Sequence, residues 1–276
     1  MSDPRPIGVF DSGMGGLTVL RALRARLPNE NLVYLGDTAR LPYGTKSPET
    51  VTAYALQATQ RLMRHDVKMV VIACNTASSV ALGPLSEKLA PLSVVGVVEP
   101  GARAGVAATT SKRIGVLATE STVKGGAYLR AIAALSADVQ VQQQACALFV
   151  ALAEEGWSEG EIAEAAAARY LAPLFADART APDTLVLGCT HFPVLAPAIA
   201  KVAGPSVTLV DSAATTAEAV AEALASRGLA KADSAAGTDM FLATDAPDRF
   251  ARVGGLFFGQ AIDASQVELV DLQLSS

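Results

Sequence analysis

Little in this chain suits a metal centre or a disulfide framework. Its 276 residues include three cysteines, Cys74, Cys146 and Cys189, and two histidines, His65 and His191. The cysteines are too few and too far apart for a framework or a paired CxxC zinc site. Blocks rich in lysine or arginine are missing, and the net charge of −5 argues against bulk nucleic-acid binding. Although 51% of the chain is hydrophobic, no apolar run approaches the roughly 18 residues of a membrane span. The opening MSDPRPIGVF has no basic segment followed by an apolar one, so no secretory signal is read. These absences predict a soluble cytoplasmic protein. An acidic surface gives no general attraction for an anion, which must be held by local devices such as backbone N–H groups at helix N-termini.

What the chain does have is a series of short apolar runs: IGVF (7–10), LVYLG (32–36), MVVIAC (69–74), VVGVV (94–98), IGVLA (114–118), TLVLGC (184–189) and VTLVD (207–211). Alanine-rich helical stretches separate most of them. Continuous runs of this kind suit strands covered on both faces, so the expected fold is α/β with mainly parallel sheets flanked by helices. The chain also repeats itself in outline. IGVFDSG (7–13) pairs with IGVLATE (114–120), and VVIACNT (70–76) pairs with LVLGCTH (185–191). Two pseudo-symmetric lobes follow, 1–98 plus 207–276 forming the first and 99–206 the second, with EPGARAG (99–105) as the crossing. Ligands of open α/β sheets bind outside the carboxyl ends of strands, so such lobes would face two cysteines across one cleft.

Cys74 in ACNTASS and Cys189 in GCTHFP each follow an apolar strand and a small residue, and each precedes a polar pair. A lone free cysteine is commonly a small core hydrophobe, which is the reading for Cys146. The repeated setting of the other pair instead presents a thiol at a strand-to-helix turn. Amides at the start of a helix after Cys74 would stabilise a thiolate there or bind a carboxylate. Two opposed thiols suit a reaction in which a proton leaves one face of a carbon and another arrives at the opposite face.

His191, two positions after Cys189, is placed to help that thiol or to serve a structural role, whereas His65 reads as a solvated helix-end residue. Asp11 either caps the helix after DSGMGGL (11–17), binds a substrate ammonium or assists Cys74. That glycine loop, with Asp37 after the second strand, also keeps open a nucleotide- or anion-binding module, although a dinucleotide fingerprint would have glycine where Thr18 stands. A Cys–His hydrolase built on Cys189 and His191 is a third reading, and it leaves Cys74 unexplained. DTARLPYGTKS (37–47) is either an ordinary connection or a loop over a small ligand. Glu154 and Glu155 read as solvated helix carboxylates.

DSGMGG, LPYG, ACNTAS and GCTHFP, in this order and across nearly the whole chain, resemble the glutamate racemases of bacterial cell-wall synthesis, within the aspartate/glutamate racemase superfamily. The resemblance implies two α/β lobes around one active site, no cofactor, glutamate as the small-molecule partner, D-glutamate supply for peptidoglycan, and a homodimer. By matching motif it implies that Cys74 takes the proton of D-glutamate and Cys189 that of L-glutamate. Asp11 would then assist the first thiol, His191 the second, and Glu154 the second half-site. Ser12, Tyr43, Gly44, Asn75, Thr76 and Thr190 match substrate contacts, with Thr119 and Thr122 as further candidates. Aspartate or another acidic amino acid is the alternative substrate. The chain departs from the pattern at Ala147 and Ala151, where proline is usual, and at Phe192, where tyrosine is common.

Overall fold

The apolar runs become strands buried along their whole length, as in Ile7–Asp11, Leu32–Gly36, Met69–Ile72 and Thr184–Gly188. The computed structural model describes residues 3–232 and 235–272. The chain runs through β1 (Ile7–Asp11), α1 (Leu17–Arg26), β2 (Leu32–Gly36), α2 (Pro48–Met63), β3 (Met69–Ile72), α3 (Asn75–Leu89), β4 (Ser93–Gly96) and α4 (Val98–Ala108). It continues through β5 (Arg113–Ala118), α5 (Glu120–Gly125), α6 (Ala127–Leu135), β6 (Gln140–Ala145), α7 (Ala147–Glu154), α8 (Glu161–Leu171), β7 (Thr184–Gly188), α9 (Ala196–Ala203) and β8 (Thr208–Asp211). The last elements are α10 (Ser212–Arg227), β9 (Asp239–Ala243), α11 (Pro247–Phe258) and β10 (Val267–Leu269). Several helices start on side-chain caps. Ser47 accepts from the Thr50 amide ahead of Pro48 in α2, and Asp211 accepts from the Ala213 amide in α10.

All strand pairings are parallel, in a six-stranded sheet ordered β10-β9-β2-β1-β3-β4 and a four-stranded sheet ordered β6-β5-β7-β8. The order β2-β1-β3-β4 recurs as β6-β5-β7-β8, so the repeat seen in the sequence is a repeat of topology. In both units the chain leaves the first strand to one side and returns on the other. The crevice between β1 and β3, and that between β5 and β7, is therefore a topological switch point, where open sheets bind ligands. Cys74 follows β3 and Cys189 follows β7.

One expectation about the connections needs correction. The segment 207–276 does not belong wholly with the first sheet, because Thr208–Asp211 pairs with β7 and completes the second sheet as β4 completes the first. Only β9 and β10 return to the first sheet. The crossing at 99–105 lies within α4, which leads from β4 of the first sheet to β5 of the second, and Pro100 in its first turn costs no hydrogen bond. One apolar core runs through both units, joining Ile7, Val9 and Leu20 to Leu187, Leu195 and Leu224. Among the described residues no helix is long and apolar enough to cross a membrane, and no His/Cys/Asp/Glu group has metal-site geometry.

Candidate active site

Cys74 is the residue from which α3 starts. Its backbone is extended, and its Sγ accepts from the Ala77 amide at 3.4 Å, so the thiol sits on the positive end of a fifteen-residue helix. It also donates to Ser12 Oγ at 3.5 Å. Burial and the charge of Asp11 nevertheless push the thiol up to about 12, against the pull of Ser12 and Ala77. Cys74 therefore rests as a protonated thiol.

The surroundings of Cys189 differ. Its Sγ lies 3.9 Å from His191 Nδ1, His191 Nε2 lies 3.2 Å from Glu154 Oε1, and Arg249 donates to Glu154 Oε2 at 2.7 Å. Burial alone would lower the pKa of His191. Hydrogen bonds to Cys189 and Glu154, with the charges of Cys189 and Asp11, outweigh burial and raise it to about 10. Burial works against the Glu154 carboxylate as well, yet His191 and Arg249 hold it below its ordinary range. The relay thus places an imidazolium beside one thiol only, and it is the positive neighbour a thiolate requires.

This ion pair gives a stability that depends on pH. A group whose folded pKa exceeds its ordinary 6.5 stabilises fully below that value and ceases to do so as pH rises through about 10. Wild-type protein is expected to lose thermal stability over that window, and Glu154→Gln, which lowers the folded pKa, to lose it at lower pH. Identical melting-versus-pH curves for the two proteins would exclude the assigned contact.

Both cysteines line one cleft of about 290 Å³, together with Ser12, Tyr43, Gly44, Asn75, Thr76, Thr119, Glu154, Thr190 and His191. Across its floor Thr76 Oγ1 lies 3.0 Å from Thr119 Oγ1, a contact between the two sheets' units. Two sequence candidates stand outside the lining. Thr122 is fully buried, its hydroxyl 3.0 Å from that of Thr119 and 3.3 Å from that of Thr76. Asp11 is fully buried as well, with Oδ2 accepting from the Gly13 amide at 2.9 Å and Oδ1 unpartnered, and burial raises its pKa. Its charge reaches Cys74 and His191 without its carboxylate facing the cleft.

The 37–47 segment contributes Leu41, Pro42 and Thr45 to the lining, and Glu120 and Val150, which sequence did not single out, line the cleft as well. Ala147, Val150 and Ala151, spaced three and four apart, present one face of α7 to it, and that periodicity was the available signal. Arg249 carries no such signal, since it meets Glu154 from α11. Cys146 is fully buried and donates to the Gln144 carbonyl at 3.5 Å, as a structural cysteine would.

The nucleotide-binding alternative loses both of its motives. Asp37 is fully buried and accepts from the Tyr43 hydroxyl, from Arg40 Nε at 2.7 Å and from Thr244 Oγ1 at 3.0 Å, leaving no carboxylate to face a ribose. The glycine loop is open for a side chain, not a phosphate: a Cβ on Gly15 would sit 2.4 Å from His191 Nδ1. Thr18 there donates to the Thr190 carbonyl at 3.0 Å. Among the described residues, no lysine or arginine lines the cleft. Carboxylates entering it would meet Asn75, hydroxyl groups and backbone amides.

The profile of the Asp/Glu/hydantoin racemase family matches residues 17–220. The glutamate racemase of Geobacter metallireducens is 48% identical over 266 residues, covering 96% of this chain and 97% of that protein. The crystal structure of the Francisella tularensis glutamate racemase with D-glutamate superposes with a TM-score of 0.90 at 35% identity, covering 98% of both chains. That of the Thermus thermophilus glutamate racemase with beta-chloro-D-alanine gives 0.86 at 43% identity, covering 98% of this chain and 99% of the other. Paired thiols at equivalent strand ends and similarity over nearly the full length lead to one conclusion: this chain belongs to the Asp/Glu/hydantoin racemase family, and within it to the glutamate racemases.

Proposed function

We propose that this chain interconverts L- and D-glutamate by moving protons between two thiols on opposite faces of Cα. The observation that carries the reading is the pair Cys74 and Cys189, set on equivalent strand ends and lining one cleft. The names and ligands of the relatives support glutamate as the substrate.

A thiolate Sγ takes the Cα proton and becomes a thiol. The electron pair left on Cα spreads into the α-carboxylate, and the opposite thiol gives its own proton to the other face. The configuration has then inverted, and the thiols have exchanged protonation states. Burial and the charge of Asp11 favour the protonated form of Cys74, and His191 supplies positive charge beside Cys189. By the motif resemblance, Cys189 takes the proton of L-glutamate and Cys74 that of D-glutamate. His191, backed by Glu154 and Arg249, holds or returns the proton of Cys189, while Asp11 acts on Cys74 through its charge. Asn75, Thr76 and Thr190, with Ser12 and the backbone of Tyr43 and Gly44, donate to the substrate's carboxylates; such donors are worth most where charge develops. Thr119 supports them through Thr76. A cytoplasmic location, supply of D-glutamate to peptidoglycan and a homodimer extend this reading by resemblance to the relatives.

Purified protein in D2O, given L- or D-glutamate without added cofactor, is expected to place deuterium at Cα and to abolish optical rotation from either side. Aspartate run in parallel reads the substrate alternative. No deuterium in glutamate would sink the assignment.

A further inference from the structure

Among the described residues, one polar group lining the cleft is buried with no partner for its donor end. Asn75 is 2% exposed and lines the cleft, and its Nδ2 has no hydrogen-bond partner. Its Oδ1, by contrast, accepts from the Tyr128 hydroxyl at 2.7 Å. An asparagine amide can flip, exchanging its acceptor and donor ends, and only its neighbours decide which end faces a ligand. Tyr128 is that neighbour. A neutral phenol can donate its proton to a carbonyl oxygen, and Tyr128 is kept neutral by burial and by the nearby charges of Cys189 and Asp211, which raise its pKa.

From this contact we propose that Tyr128 is a positioning residue, which locks the Asn75 amide with its N–H groups toward the substrate carboxylate. The inference rests on the glutamate reading above. Tyr128 belongs to α6 of the second unit and Asn75 to α3 of the first, so the donor is oriented only where the two units meet. The ring is itself held tightly. It is fully buried among Ile114, Val116, Ile132 and Val186, and it packs on Gly188, the residue before Cys189. A Cβ at position 188 would lie 2.9 Å from Tyr128 Cε2, so glycine there makes room for the ring. The same side chain thus touches the strand end that carries one thiol and orients an amide beside the other.

Tyr128→Phe keeps the ring and removes only the hydroxyl. The freed amide populates both orientations, and a carbonyl facing a carboxylate repels it. Because the substrate must then select the donor orientation, the cost falls on binding, and KM for both enantiomers should rise about two- to ten-fold with kcat little changed. In an Asn75→Ala background the same change should cost nothing further, since the hydroxyl acts only through Asn75. The four proteins, wild type, the two single variants and the double variant, are compared by initial racemisation rates and thermal melting. Should Tyr128→Phe alone melt too low to assay, Asn75→Ala against the double variant still decides, because neither strands the Asn75 carbonyl. Wild-type kinetics in Tyr128→Phe, or a further rise in KM in the double variant over Asn75→Ala, overturns the proposal. A wild-type protein inactive on glutamate removes the parent reading and the proposal with it, whereas an active wild type with an unaffected Tyr128→Phe removes the proposal alone.

Discussion

Replacing either Cys74 or Cys189 with alanine is expected to lower glutamate racemisation by about 10³-fold, the middle of the range for removing a positioned acid or base. Inversion needs both thiols, because one must take a proton from one face while the other gives a proton to the opposite face. The two losses should therefore be similar in racemisation and unlike in exchange. The thiol that remains can take a proton from the enantiomer presented to it and return deuterium to the same face. Residual Cα exchange without inversion should then be confined to D-glutamate in Cys189→Ala and to L-glutamate in Cys74→Ala. Rates measured by polarimetry and exchange measured by NMR on the same samples separate the two events. Racemisation at the wild-type rate in either variant would exclude a two-thiol mechanism, and exchange from both enantiomers in one variant would exclude the assignment of faces.

Lys68→Met is expected to destabilise the protein by about 3–5 kcal/mol, because it strands a buried carboxylate. Lys68 Nζ lies 2.5 Å from Glu30 Oε2, with the two side chains 0% and 4% exposed. The same ammonium donates to the Asp3 carbonyl at 2.7 Å, and Glu30 Oε1 accepts from the Lys231 amide at 2.7 Å. Those further contacts are to uncharged backbone groups, so the opposite charge each needs comes from the other. The cost comes from an uncompensated charge, not from the attraction of the pair, so Lys68→Met with Glu30→Leu should recover most of the loss. Lys68 precedes β3, at the end of the strand opposite Cys74, so kcat of the folded fraction should not change. Urea unfolding measures the stability. A shift below about 1 kcal/mol, the range of exposed pairs, would show that water reaches the site.

The legibility of the fold varied with where each strand lies. The runs at 7–10, 32–36, 69–74, 114–118 and 184–189 became strands within a residue or two of their apolar limits. Strands inside a parallel sheet are covered on both faces and must be apolar throughout. β6 escaped notice because it is an edge strand, half-exposed and rich in glutamine over Gln140–Ala145. β9, five residues long like β1, and β10 lie outside the repeat and were not among the runs read as strands, and the run at 207–211 was assigned to the first lobe although it pairs with β7.

Both cysteines were found from sequence for the same reason. Cys74 and Cys189 end runs whose spacing is repeated, and a strand end beside a switch point is a place where a sheet presents side chains to a ligand. The motif resemblance then supplied Tyr43, Thr76 and Thr190, all of which line the cleft. It also supplied Thr122, which does not, as Asp11, read from its strand end, does not, because a motif or a strand end records which residues accompany a site and not which of their atoms face it.

The sequence by itself determined the two-sheet α/β plan, the repeated order of strands and the placing of one thiol after β3 and another after β7. These are local properties, written in hydrophobic runs and in the residues that cap the following helix. Only the tertiary structure decided the partners. Asn75 receives its hydroxyl donor from a residue 53 positions away, and Glu154 its guanidinium from one 95 positions away. Asp37 turned out to be spent on Tyr43, Arg40 and Thr244, although it stands at a strand end like a ligand-binding acid. Periodicity reports which face of an element is buried. It does not report what that face is buried against, and the protonation of Cys74 and His191 depends on those neighbours.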